Sequence, residues 1–323
     1  MYAAVILEKH GGPDVLKFRK VDVGEPGPGE LRIRQTAIGL NYIDTYHRSG
    51  LYPLALPSGI GSEGAGVVEA AGAGVTDFKR GDRVAYAGLL GAYAEARLIP
   101  AARAVRLPAH ITDESAAALM LKGMTAYYLL HLTFPVQRGD LLLVHAAAGG
   151  VGSVLVPWAK SLGTTVIGTA GGATKCKLAK SYGCDHAIDY RKQDFVAAVK
   201  KITKGRGVDV VYDAVGKDTL VKSFDCVRRR GMVVTFGSAS GKPPAIEPHL
   251  LTAKGSLYLT RPTLADYVAT RRDLEQAASA LFNAVRDGIV QADVRQRYAL
   301  RDVAKAHADL EARKTTGTTL LIP

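Results

Sequence analysis

The sequence predicts an α/β protein, with a compact, mostly β domain at the N-terminal end and a doubly wound, parallel six-stranded sheet in the second half. Three observations carry this expectation. Short strand-like runs between turn clusters fill about the first hundred residues, longer apolar runs alternating with helical segments start near residue 141, and one of those runs opens into a small-residue turn at the head of a helix. Parallel strands need crossover connections and are covered on both faces, so near-continuous apolar strands separated by helices indicate a doubly wound sheet rather than a sandwich.

The elements follow in order. Tyr2-Ala3-Ala4-Val5-Ile6-Leu7 reads as a strand, as do Leu31 to Ile38, Gly64 to Ala71 and Arg83 to Tyr86, divided by clusters such as Gly24-Glu25-Pro26-Gly27-Pro28-Gly29. The parallel strands are Leu141 to His145, Thr165 to Gly168, Asp209 to Tyr212, Met232 to Phe236 and Ser256 to Leu259, with His186 to Tyr190 the least apolar candidate. After Arg261-Pro262 comes a long helix, roughly Leu264 to Asp287, then a short strand, a helix near Val303 to Ala312 and a last strand, Thr318 to Ile322. That tail can return to complete the first domain; domain discontinuity leaves no periodicity to read.

Composition bounds the class. With 47% apolar and 22% charged residues, the 323-residue chain matches a soluble globular protein. The opening strand lacks the basic, apolar and small-residue succession of a secretory signal, and no apolar run reaches the roughly 20 residues of a membrane span, so a cytoplasmic protein without membrane contact is expected. Cys176, Cys184 and Cys226 are too few and scattered for a disulfide framework or a CxxC metal site. The net charge of +12 is spread along the chain, and its longest basic run, Arg228-Arg229-Arg230, reads as a solvated helix-to-strand corner. Nucleic acid is not expected; an anionic cofactor needs only a few of these charges.

The strand Leu141 to His145 runs into Ala146-Ala147-Ala148-Gly149-Gly150-Val151-Gly152, then a helix to about Leu162 and a strand from Thr165. This is the context a dinucleotide fingerprint demands. Small residues let the backbone approach a pyrophosphate, and the helix N-terminus stabilises its charge. Ala147 stands where the usual pattern has its first glycine. A close-packed corner without ligand would use the same residue types, and the strand–turn–helix–strand context is what favours a cofactor. The next strand ends at Thr169-Ala170-Gly171-Gly172-Ala173-Thr174-Lys175, with no Asp or Glu to hold a ribose 2′-hydroxyl. Room for a 2′-phosphate, and Lys175 to neutralise it with Tyr190 and Arg313 further off, point to NADPH over NADH. A first-turn lysine is by itself an ordinary surface residue; the missing acid is the stronger half of the inference.

Several blocks then carry a resemblance: Gly39-Leu40-Asn41-Tyr42-Ile43-Asp44, Gly61-Ser62-Glu63-Gly64-Ala65-Gly66-Val67-Val68, Gly81-Asp82-Arg83-Val84, Leu121-Lys122-Gly123-Met124-Thr125-Ala126, the turn from His145 to Gly152, Asp213-Ala214-Val215-Gly216, Phe236-Gly237-Ser238 and the end Gly317 to Pro323. Together they resemble the bacterial quinone oxidoreductase and ζ-crystallin branch of the medium-chain dehydrogenase/reductase superfamily across essentially the whole chain. The resemblance implies a GroES-like catalytic domain from residues 1–122 and 262–323, a Rossmann NADPH-binding domain from 123–261, a cofactor cleft between them and a homodimer. It places Asn41, Thr45, Tyr128, Gly149, Gly150, Val151, Gly152, Gly171, Lys175, Tyr190, Gly237, Ser238 and Arg313 at cofactor-contacting positions. Phe236 and Thr260-Arg261-Pro262 are expected beside the nicotinamide or the dimer seam.

Zinc enzymes of that superfamily carry a Cys and a Gly-His-Glu histidine where this chain has Asn41 and Ser62. Catalytic zinc takes about three Cys, His or carboxylate ligands, and neither an amide nor a hydroxyl replaces them. His10, His47, His131, His145 and His249 form no spaced pair and read as packing or surface residues. No metal is expected. Without a Lewis acid to stabilise an alkoxide, an electron-poor quinone suits the chemistry better than a simple alcohol, with the protein positioning the acceptor against the nicotinamide. Tyr46 and Tyr52 are candidates to line the acceptor pocket, or equally to pack a core, with Asn41 holding the cofactor edge or the developing oxygen. No acid or base is marked out as proton donor, and water can serve. Two alternatives stay open: an NADPH-dependent reductase of α,β-unsaturated aldehydes or ketones, and an AU-rich RNA-binding protein of ζ-crystallin type, although the chain has no dedicated nucleic-acid module.

Overall fold

The computed structural model describes residues 1–323, and the chain divides into two compact units, Met1–Met124 with Val268–Pro323 and Thr125–Tyr267. The first is built on a seven-stranded, mostly antiparallel sheet around the strand Glu30–Leu40, which alternates buried and open positions along most of its length. Such alternation is what a sheet with one solvated face requires. Glu30–Leu40 pairs antiparallel with Glu63–Ala71 and Ala96–Pro100 and, through Leu320 opposite Gly39, with the last strand Thr318–Ile322. The tail does return to the first unit. A three-stranded sheet with Tyr2–Leu7 at its centre completes it, and the core joins Leu7, Ile33, Ile38 and Tyr86 to Leu300, Val303 and Leu321.

The second unit holds the expected six-stranded sheet, every pairing parallel, with Leu141–Val144 between Thr165–Ala170 and Val208–Asp213. Val208–Asp213 is buried at all six positions, which is why its centre, Val210 to Tyr212, is an apolar run and why both of its aspartates are hydrogen-bonded. The weakest candidate, His186–Asp189, is a strand at one edge of this sheet. Edge position explains its polar character, since one flank needs no partner.

Two expectations are corrected. The long helix after Pro262 is two, Leu264–Tyr267 and Arg271–Arg286, because the Thr270 side chain accepts the Asp273 N–H and caps a new start. The basic triplet is no helix-to-strand corner: it lies inside the strand Val227–Thr235. The pairing register there jumps from Val208 opposite Val227 to Val210 opposite Met232, and Arg230 takes a left-handed φ of 57°. The arginines form the bulge, and Arg228 Nε donates to Asp209 Oδ1 at 2.5 Å.

Candidate active site

The turn after Leu141–Val144 begins with Ala146 at φ 54° and is tied by Ala147 N–H to Thr169 O at 3.0 Å and by Gly149 N–H to Ala146 O at 2.8 Å. The helix Gly152–Ser161 starts with no acidic residue in its first turn and no side-chain cap. Its positive end is therefore left for an external anion. A methyl on Gly152 would collide with the Ala147 carbonyl, whereas Gly149, Gly150 and Val151 form a half-buried rim. The alanine in the first-glycine place also has its reason: a methyl on Gly168, in the neighbouring strand, would sit 2.7 Å from Ala147 Cβ. The glycine needed for close packing is on the facing strand. His145 is a satisfied core histidine, bonded to Thr169 Oγ1 at 2.9 Å and Ser223 Oγ at 3.0 Å, its pKa lowered by burial.

The loop after Thr165–Ala170 passes Gly171 and Gly172, the latter at φ 96°, into the helix Ala173–Ser181, which again has neither a first-turn acid nor a side-chain cap. Half-buried Lys175 lies in that first turn. The nearby carboxylate, Asp189, uses Oδ1 on Gly172 N–H at 2.9 Å and Arg191 N–H at 3.1 Å. It thereby brings Tyr190 against Gly171, where an added methyl would stand 2.5 Å from the tyrosine hydroxyl and 3.3 Å from Arg191 Nε. Sequence reading named Lys175, Tyr190 and Gly171 but missed Arg191, whose only signal was its place beside Tyr190. The loops beyond the next two strands are stitched together: buried Asp213 accepts Val215 N–H at 2.7 Å and Gly216 N–H at 3.1 Å, Phe236 N–H donates to Asp213 O at 2.9 Å, and Arg261 donates to Ser238 Oγ at 3.1 Å. Gly237 is required because a methyl there would meet Ala214 O at 2.5 Å. Tyr128 is buried and stacks on Tyr267 with centroids 4.4 Å apart. These groups fit a dinucleotide phosphate at the first turn and a 2′-phosphate at the second.

In the first unit, Asn41 caps the helix Tyr42–Ser49. Its Nδ2 donates to Glu63 Oε1 at 2.8 Å and to Gly39 O at 3.4 Å, so the amide hydrogens are turned toward the chain's own acceptors rather than held out for a developing oxygen. Thr45 turns its hydroxyl back onto Tyr42 O at 2.7 Å. Tyr46 and Tyr52 do come together, centroids 5.0 Å apart, with Tyr42 5.8 Å from Tyr46. Arg313 sits just past the helix Val303–Glu311 at φ 59°.

Two buried carboxylates went unnoticed in the sequence. Glu63, 0% exposed, receives Lys122 Nζ at 2.6 Å and Leu121 N–H at 2.6 Å besides Asn41. Asp44, also 0% exposed, receives Ser62 Oγ at 2.6 Å, Tyr93 OH at 2.8 Å and Asn41 N–H at 2.9 Å. Behind Tyr93 stand His307 Nε2 at 3.1 Å and then Arg48, 3.2 Å from His307 Nδ1 and paired to Glu311 at 2.6 Å. Burial pushes Asp44 up to about 6, against the pull of its three donors, and pushes His307 down to about 3, helped by Arg48. Asn41 and Ser62 thus commit their side chains to Glu63 and Asp44. Nowhere do three His, Cys, Asp or Glu side chains group as a metal site.

Known proteins give a consistent likeness. Residues 27–109 match the alcohol dehydrogenase GroES-like domain and residues 150–283 the zinc-binding dehydrogenase family. A quinone oxidoreductase of Pseudomonas aeruginosa is 50% identical over 97% of each chain, and a 2-haloacrylate reductase of a Burkholderia species is 47% identical over 100% of this chain and 99% of its own. The crystal structure of Escherichia coli quinone oxidoreductase complexed with NADPH superposes with a TM-score of 0.97 at 47% identity, covering 99% of this chain and 100% of that one.

Proposed function

We propose that this chain, which belongs to the quinone oxidoreductase branch of the medium-chain dehydrogenase/reductase superfamily, reduces quinones with NADPH and without a metal. The Gly171 loop carries the cofactor half of this reading. Its helix start has no acid, the nearby Asp189 holds the Gly172 and Arg191 N–H groups through Oδ1, and Lys175, Tyr190 and Arg191 border it. An anionic 2′-phosphate gains charge-assisted hydrogen bonds there, and no acid stands between Thr169 and Lys175 to hold a ribose diol.

Bound NADPH supplies the hydride; the chain's residues hold and orient. The turn at Gly149 to Gly152 receives the pyrophosphate, and Phe236, Gly237, Ser238 and Arg261 shape the nicotinamide end. On the acceptor side Tyr46 and Tyr52 offer an apolar wall, and Asn41, with its Nδ2 on Glu63 and the Gly39 carbonyl, positions by packing and through its oxygen. Amide and hydroxyl at positions 41 and 62 leave no Lewis acid for an alcohol, which favours an acceptor whose charge delocalises on reduction. A cytoplasmic homodimer, by likeness to the family, belongs to the same proposal.

A second reading has its own support in the 2-haloacrylate reductase relative: an acceptor with a conjugated carbon–carbon double bond. Parallel turnover of 1,4-benzoquinone, a naphthoquinone, a small enone and a 2-haloacrylate, each with NADPH and NADH, separates the two. The proposal expects NADPH and the quinones to give the highest kcat/KM. Faster reduction of the alkenes transfers the conclusion to the second reading, and a preference for NADH removes the cofactor assignment.

A further inference from the structure

We infer that Ser62 and Asp44 deliver the proton that the reduced acceptor requires, Ser62 as the group that touches it and Asp44 as the proton store behind. The inference rests on the reductase reading above. Hydride transfer to a quinone or an enone leaves an oxyanion, and a positioned acid speeds its protonation.

Two bridges hold the Ser62 hydroxyl beside Asn41. Asp44 accepts both Asn41 N–H and Ser62 Oγ, and Glu63, the next residue after Ser62, accepts Asn41 Nδ2. The bonds have a direction. Arg48 can only donate, so His307 Nδ1 accepts and its proton sits on Nε2, aimed at Tyr93, whose own hydroxyl donates to Asp44. This side ends in a guanidinium, which donates and cannot accept. Ser62 is therefore the exit for a proton held on Asp44.

With Asp44 ionised, the Ser62 O–H points at the carboxylate. With Asp44 protonated, the carboxylic O–H donates to Ser62 Oγ, and the serine hydrogen is free to turn toward the acceptor. In the transfer, the Ser62 O–H bond breaks as its proton moves to the acceptor oxygen, and the Asp44 O–H bond breaks as its proton moves to Ser62 Oγ. Asp44 is left a carboxylate and takes a proton from water before the next turnover. The charged and titratable groups around it are Glu63 with its partner Lys122, Tyr93, and beyond Tyr93 His307 and Arg48. Burial, with a smaller contribution from Glu63, raises Asp44 to about 6, so a usable fraction carries the proton near neutral pH.

Asp44→Asn is the informative variant. An amide oxygen in the Oδ2 place accepts from Asn41 and Tyr93, and the amide nitrogen in the Oδ1 place donates to Ser62, so all three bonds survive without a transferable proton. The pH profile of kcat with 1,4-benzoquinone is expected to rise toward acid with an apparent pKa near 6 in the wild-type protein. That limb should vanish in Asp44→Asn and in Ser62→Ala, with kcat down roughly a hundredfold. Infrared titration of the unliganded protein should show a carboxylic carbonyl band that follows the same midpoint and is missing in Asp44→Asn. Loss of the limb and of the band supports the relay. An unchanged limb in Ser62→Ala, or no titrating band, overturns it while quinone turnover stands. Absence of any NADPH oxidation by the wild-type protein sinks the reductase reading and the relay with it.

Discussion

Replacing Lys122 by Met is expected to destabilise the first unit by about 3–5 kcal/mol, the usual cost of removing one partner from a buried ion pair. The pair earns that figure from its burial: Glu63 is 0% and Lys122 4% exposed, and the ammonium lies 2.6 Å from Oε1. Met keeps the volume of the lysine stem, so the loss is electrostatic rather than a cavity. In the variant the carboxylate keeps only Asn41 Nδ2 and Leu121 N–H. Adding Glu63→Gln removes the stranded charge. A glutamine has one acceptor oxygen for those two donors, so one is left unsatisfied, at about 1–3 kcal/mol. The double variant should therefore be more stable than Lys122→Met alone. Urea unfolding followed by far-UV circular dichroism and by Trp158 fluorescence separates the units, since Trp158 reports on the second. A loss below about 1 kcal/mol in Lys122→Met, or a double variant less stable than the single, would refute the reasoning.

Two further outcomes are expected. Lys175→Ala should raise KM for NADPH about tenfold, equivalent to about 1.4 kcal/mol, and leave KM for NADH within twofold; an equal rise for both cofactors would place the lysine away from the 2′-phosphate. The stability advantage of the wild-type protein over His307→Gln should shrink as pH falls. His307 is held neutral down to about 3 from an ordinary 6.5, so the unfolded chain binds the extra proton between those values. The wild-type protein therefore loses about 1.4 kcal/mol per pH unit there relative to the variant. Thermal unfolding of both proteins at pH 7, 5.5 and 4 checks this, and a constant difference would contradict it.

Much of the second unit was legible because its strands are buried on both faces: Val208–Asp213 keeps Val210, Val211 and Tyr212 in an apolar run, and the turn at Gly149 to Gly152 follows from backbone sterics. The same logic fails where a local feature depends on one capping bond, as at Thr270, or on a bulge, as at Arg228 to Arg230. The carboxylate networks were illegible for another reason. Asp44, Ser62, Tyr93 and His307 meet across 263 residues of sequence, and no period or motif joins them. What the chain displayed was an aspartate interleaved with Leu40, Tyr42, Ile43 and Tyr46, and a glutamate heading a run of small residues, Glu63 to Gly66. A lone acid among residues bound for the core demands partners, and that demand is readable even when the partners are not.

The return of the tail governs how the protein is made. The second unit is one continuous stretch, so a nascent chain on the ribosome can fold it while the C-terminal residues are still unsynthesised. The first unit waits: Glu30–Leu40 has an unpaired edge until Thr318–Ile322 is added, and the Arg48 guanidinium lacks His307 and Glu311. Truncation before the final helix should therefore yield a folded middle flanked by an aggregation-prone N-terminal part of the first unit, and residues 1–124 find their places only after the tail has been made.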